Sequence, residues 1–276
     1  MKNMIVKSLG FYLNSITWVA PRKAGEFGFE LFCRPIRTKV KPYQLEFLQT
    51  AEQQPFTFDG LRVQLYRWGN GPKKVLFLHG WQSHSFRWKK YISSLPLDLF
   101  TVYALDAPGH GMSEGNFINV PYYSELIQQF VKDHGAFDAA VAHSLGGMSL
   151  LYSLGHHSNL PIKKVVAMGV PGKARDFVNF YQQTLKLSPK TMSIIEDHFV
   201  NRIGKPVNYF ETEKFVKNLE VPGLIVHDEE DKDAPYMYAK RLHKEWKTSE
   251  LMTTKGLGHN LRSEKVVDEV KAYLLA

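Results

Sequence analysis

Ser144 lies in the pentapeptide Ala142-His143-Ser144-Leu145-Gly146, between a short apolar run at residues 137–141 and a helix-like stretch at residues 145–156. A serine on a strand-to-helix turn, with small residues at minus two and plus two, has the layout of a nucleophile elbow. The backbone turns so sharply there that bulky neighbours would clash, and the hydroxyl is pushed out above the sheet. The first small residue is Ala142, which meets the same steric demand as glycine. A serine hydroxyl is a weak nucleophile at neutral pH and needs a base within hydrogen-bond reach, itself oriented by a third group. The chain holds 11 histidines and 27 aspartates and glutamates, so Ser144 alone does not name its partners.

Other segments narrow the choice. Leu76-Phe77-Leu78-His79-Gly80-Trp81 is an apolar strand ending in His-Gly, and Leu105-Asp106-Ala107-Pro108-Gly109-His110-Gly111-Met112-Ser113 is a strand end followed by a glycine-rich loop. The strand Leu224-Ile225-Val226-His227 runs into Asp228-Glu229-Glu230-Asp231-Lys232-Asp233-Ala234-Pro235. Lys255-Gly256-Leu257-Gly258-His259-Asn260 lies after the final strand and before the last helix. In this order, and with the serine motif, the segments resemble the α/β-hydrolase superfamily over roughly residues 58–170 and 216–275. The resemblance places the catalytic acid at Asp231, in a G-x-x-D-x-x-x-P pattern, and the general base at His259, in a G-H-x turn. It assigns the oxyanion hole to the backbone amides of Trp81 and Leu145. The D-x-x-G-x-G-x-S loop from Asp106 to Ser113 supports the site without performing chemistry. Asp228 stands where the family has glycine, and Asp233 is the second candidate for the acid.

These roles predict a serine hydrolase. His259 takes the Ser144 proton and returns it to the leaving group, while Asp231 holds the imidazole in the right tautomer and stabilises its charge. The two amides receive the oxyanion of the tetrahedral intermediate, each contributing roughly 3–4 kcal/mol. The expected reaction is cleavage of a carboxylic ester with an apolar acyl or alcohol part, as in the small bacterial carboxylesterases that the loops resemble. Thioester, amide and carbon–carbon bond hydrolysis use the same triad. So do fold members that turn over slowly and act as ligand receptors or regulators.

Composition fits one α/β domain with an insertion: 276 residues, 44% hydrophobic, are enough for a single sizeable core. The net charge of +8 comes from dispersed lysines and arginines, with no basic run interleaved with aromatics, so no nucleic-acid partner is expected. A single cysteine, Cys33, excludes an intrachain disulfide and suits a cytoplasmic location. Neither metal-ligand spacings nor a glycine-rich phosphate loop occur, so no cofactor and no metal are expected. The small-molecule ester is the expected partner.

The elements that must position these residues alternate short apolar strands with helical stretches. That pattern predicts an α/β-hydrolase fold, a mostly parallel central sheet with helices on both faces. A hairpin turn is expected at Phe58–Leu61, one helix over residues 86–95, and strands ending at Trp81, Ser144 and Asp231, at the carboxyl edge where such folds bind ligands. Residues 51–171 and 216–276 form the expected core, and residues 172–215, apolar at helical spacing, a helical cap insertion. Residues 1–50 form an N-terminal helical extension, apolar on one face at Ile5, Leu9, Tyr12, Leu13 and Ile16. Docking of that face on the body is the simpler use. The competing use is a membrane surface, with Lys2, Lys7, Arg22 and Lys23 toward lipid headgroups. The stretch from Arg34 to Lys41 reads as a solvated basic connector.

Overall fold

The computed structural model describes residues 2–157 and 159–276, with the side chains of Lys2 and Asn3 outside the described residues. Its strands are β1 (Glu52–Phe58), β2 (Leu61–Trp68), β3 (Lys73–Leu78), β4 (Phe100–Leu105), β5 (Ala139–His143), β6 (Val165–Met168), β7 (Gly223–Asp228) and β8 (Ser249–Thr254). The helices are α1 (Lys2–Val19), α2 (Pro21–Phe32), α3 (Pro42–Leu48), α4 (Lys89–Ser94), α5 (Val120–His134), α6 (Leu145–His156), α7 (Ala174–Leu185), α8 (Pro189–Ile203), α9 (Thr212–Phe215), α10 (Met237–Glu245) and α11 (Glu264–Leu275).

The chain divides into two compact units. The larger comprises Pro35–Gly172 and Thr212–Ala276, and the smaller joins Lys173–Glu211 to the described residues up to Arg34. This division differs from the one read in the sequence. The extension expected over residues 1–50 parts at Arg34, and its first two helices belong with the expected cap.

The larger unit is built on an eight-stranded sheet of order β1-β2-β4-β3-β5-β6-β7-β8. Pairing is parallel from β4 through β8, and antiparallel at β1/β2 and β2/β4. The β1–β2 hairpin turns at Asp59 and Gly60, both at positive φ, the demand of a two-residue hairpin loop. Val75 to Leu78 of β3 and all of β5 are buried, as strands covered on both faces must be. One core cluster packs Phe77, Trp88, Ile92 and Val102 with Val266, Val270 and Leu274 of α11. The single helix expected over residues 86–95 is instead a 3₁₀ turn, Ser85–Trp88, followed by α4. The cause is Asp106, whose carboxylate fixes both the amide and the hydroxyl of Ser85 at 2.7 Å and so sets the start of the segment.

In the smaller unit, α2 packs closely on α8. A Cβ at Gly28 would lie 2.4 Å from Ile195 Cδ1, and Tyr181 donates to the Gly28 carbonyl at 2.9 Å. Asn14, a polar interruption in the sequence of α1, is a joint. Its amide nitrogen donates to the Lys186 carbonyl at 3.0 Å, and its oxygen accepts from the Ser188 amide and the Thr191 hydroxyl at 2.9 Å each. The buried face of α1 is Gly10, Leu13 and Thr17, whereas Ile5 and Tyr12, expected on it, are exposed. No described helix is long and apolar enough to cross a membrane.

Candidate active site

β5 delivers the chain to Ser144, which adopts φ 53°, ψ −122° and is followed directly by α6. That positive φ is strained for a residue with a side chain. It holds because the Ser144 amide donates to the Met168 carbonyl at 2.9 Å and its own carbonyl accepts from the Met148 amide at 2.9 Å. Space around the turn is tight. A Cβ on Gly146 would lie 2.5 Å from the His79 carbonyl oxygen, and one on Gly80 would lie 2.8 Å from the Ser144 Cβ. Ala142 is fully buried between Leu78 and Ala167 of the neighbouring strands, so alanine is accommodated at that position.

The Ser144 hydroxyl lies 2.9 Å from His259 Nε2, and His259 Nδ1 lies 2.8 Å from Asp231 Oδ2. An ionised carboxylate only accepts, so Nδ1 carries the proton and Nε2 is left to accept from the serine. His259 sits on the short turn Gly258–Asn260 after β8, and Asp231 on the loop after β7. Burial opposes the charge on Asp231, but the His259 hydrogen bond and the amides of Ala234 and Asp233 outweigh it, holding the carboxyl below its ordinary range. Asp233, the second candidate acid, is exposed and gives its amide to Asp231, whereas Asp231 bonds the imidazole. One ligand atom each of Asp231, Asp233 and His259 lie within 4.8 Å of one another, a spacing that would admit a cation. Such an ion would compete with the Asp231–His259 hydrogen bond.

Trp81 follows His79-Gly80, and two buried histidines hold this loop. His110 Nε2 accepts from the Gln82 amide at 3.0 Å while its Nδ1 donates to the Pro108 carbonyl at 3.0 Å. His79 Nδ1 donates to the Gly80 carbonyl at 2.8 Å, and its Nε2 accepts from the Ala107 amide at 2.9 Å. Burial pushes both imidazoles down to about 3, so they stay neutral and keep their acceptor nitrogens. Leu145 opens α6, where a first-turn amide has no partner within the helix and is free for an anion.

Three supporting residues, His143, Asp228 and Arg37, were not identified from sequence. His143 Nε2 donates to the backbone carbonyl of His259 at 2.8 Å, and burial lowers its basicity far below the ordinary value, so the ring stays neutral. Asp228 accepts from the Leu257 amide at 2.9 Å, the Thr254 hydroxyl at 2.7 Å and the Glu230 amide at 3.0 Å, tying the loop that carries Asp231 to the one that carries His259. Burial disfavours the Asp228 charge, yet these donors keep its carboxyl below the ordinary range. The signal was the aspartate standing in place of a glycine. Arg37, read as part of a solvated connector, bonds the carbonyls of Gly111 at 2.9 Å, Ser113 at 2.5 Å and Gly115 at 3.1 Å. It clamps the loop that carries His110. Asp106 holds the same loop from inside, accepting from the Met112 amide at 2.9 Å.

A family model described as "Alpha/beta hydrolase family" matches residues 75–202, and one described as "TAP-like protein" matches residues 204–276. The chain is 36% identical over 92 residues to the dihydrolipoyllysine-residue acetyltransferase component of an acetoin cleaving system of Cupriavidus necator, a match covering 32% of this chain and only 24% of that one. It is 24% identical over 257 residues, 74% of this chain and 92% of the other, to a bifunctional esterase/perhydrolase of Acinetobacter calcoaceticus. Among solved structures, Est1E of Butyrivibrio proteoclasticus, with ferulic acid bound, superposes with a TM-score of 0.66 at 21% identity, covering 80% of this chain and 98% of that one.

Proposed function

Because the chain belongs to the α/β-hydrolase superfamily, we propose that it hydrolyses a carboxylic ester with an apolar acyl or alcohol part, through an acyl-enzyme on Ser144. The observation that carries this reading is the continuous relay from Ser144 Oγ through His259 to Asp231, at 2.9 and 2.8 Å. The esterase activity in the name of the Acinetobacter relative supports an ester over other acyl substrates.

In the proposed cycle, Ser144 Oγ attacks the ester carbonyl as His259 Nε2 takes its proton. The carbonyl oxygen becomes an oxyanion between the amides of Trp81 and Leu145, where donors fixed before the reaction need no reorganisation. Collapse breaks the carbon–oxygen bond to the alcohol, which leaves with the proton from His259. Water then attacks the acyl-enzyme and gives a proton to His259. The second tetrahedral species releases the carboxylic acid as the proton returns to Ser144. Asp231 orients the imidazole throughout and offsets its charge when protonated.

Hydrolysis of p-nitrophenyl esters from acetate to laurate, with Ser144→Ala in parallel, tests the proposal. Repeated turnover that disappears in the variant supports an esterase, and the preferred chain length sizes the acyl pocket. Absence of turnover above the variant on every chain length refutes it for such esters.

A further inference from the structure

Helix α1 is apolar on two faces, and only one of them is buried within the fold; on the other, Tyr12 meets the Phe27 ring edge-on at 5.7 Å yet stays half exposed. The buried face is fixed: a Cβ on Gly10 would lie 1.8 Å from the Leu185 carbonyl oxygen, and Asn14 is bonded to three groups of the smaller unit. The helix therefore cannot roll to hide its other side. That side carries Met4, Ile5, Phe11, Tyr12, Trp18 and Val19, each at least half exposed, with Phe11 at 76%, Trp18 at 72% and Val19 at 86%. At 3.6 residues per turn these side chains fall within an arc of about 140°, interrupted only by Ser8 and Ser15. Exposed apolar residues scattered singly are ordinary, whereas a continuous stripe along a helix marks a contact surface.

Charge decides what the surface contacts. The first acidic residue of the chain is Glu26, so α1 has none. Lys7 flanks the stripe, Arg22 and Lys23 follow its end, and Lys190 Nζ lies 3.4 Å from the centre of the Trp18 ring; all four residues are exposed. A second copy of the chain meeting this face symmetrically would set those cations against one another with no carboxylate on the stripe to answer them. We propose that this face of α1 lies in the headgroup region of an anionic lipid bilayer, parallel to its plane. Trp18 and Phe11 enter the acyl boundary, and Lys7, Lys23 and Lys190 meet lipid phosphates. The proposal is independent of the reaction assigned to Ser144.

The test is cosedimentation of the full chain with phosphatidylcholine vesicles and with mixed phosphatidylcholine–phosphatidylglycerol vesicles. The Phe11→Ser/Trp18→Ser and Lys7→Glu/Lys190→Glu double variants run alongside. All four side chains are exposed, and an unchanged urea midpoint verifies that each variant is folded. The expected result is binding to the mixed vesicles that weakens with salt and falls roughly tenfold or more in either variant. Equal sedimentation of wild type and the Phe11/Trp18 variant overturns the proposal. So does equal binding to both vesicle types, or self-association that needs Trp18 in a protein that ignores vesicles.

Discussion

His79 and His110 make stability depend on pH, because burial keeps both rings neutral. Both rings are buried and accept a backbone N–H on Nε2, so protonation would remove an acceptor and strand a charge. Each folded-state value lies at about 3, against 6.5 for an exposed imidazole. The folded value is depressed, so the stabilisation is complete above the unfolded value and is lost as pH falls toward the folded one. At about pH 5, some 1.5 units below the unfolded value, each ring has given up about 2 kcal/mol relative to about pH 7.5. That is a large share of a typical folding stability. His110→Gln isolates one ring, because a glutamine oxygen can accept the Gln82 N–H but does not titrate. Urea unfolding of wild type and variant at both pH values is the assay. The variant's own cost cancels in the comparison, and its disadvantage should shrink by about 2 kcal/mol between about pH 7.5 and about pH 5. A stability difference that stays constant across that range would refute the buried neutral state of His110.

Further predictions concern the groups around His259. Asp231→Asn should lower kcat by a factor on the order of 10⁴ through the wrong imidazole tautomer, and Asp233→Asn should leave it near the wild-type value; initial rates with a saturating ester decide, and the reverse ranking would make Asp233 the acid. His143→Phe removes the donor to the His259 carbonyl at 2.8 Å and should reduce kcat about 10- to 100-fold with little change in KM. Proportional loss in KM instead would assign His143 to substrate binding. Asp228→Ala leaves two amides and a hydroxyl without their acceptor and should cost about 3 kcal/mol or more in urea unfolding. A cost under about 1 kcal/mol would show that the two loops do not depend on it.

The residues of the proposed relay were legible because local geometry restricts what can stand beside them. A strand-to-helix turn at positive φ needs Gly146, and the approach of the preceding loop needs Gly80, so the chemistry leaves a short-range imprint. The sheet was legible for a similar reason, since strands covered on both faces, such as β3 and β5, must be continuously apolar. What stayed hidden acts across long stretches of chain. Arg37 bonds carbonyls more than 70 residues away, and nothing around it distinguishes that role from a solvated cation. The split of residues 1–50 at Arg34 depends on glycines such as Gly28 admitting α8, a contact whose partner, Ile195, lies 167 residues downstream. Periodicity on α1 indicated an amphipathic helix but only part of its buried face: Leu13 is buried and Leu9 and Ile16 are half-buried, whereas Ile5 and Tyr12 are exposed. Both sides are apolar, and the buried one was set by Gly10 and Asn14, the residues that interrupt the pattern.

The central claim is that Ser144 carries the acyl group. Rapid mixing with p-nitrophenyl butyrate, acid quenching and peptide mass spectrometry test it in one experiment. The account predicts a burst of one p-nitrophenolate per chain and a butyryl increment on the peptide holding Ser144, both absent from Ser144→Ala. A burst that survives in the variant, or an acyl group mapped to another residue, would contradict it.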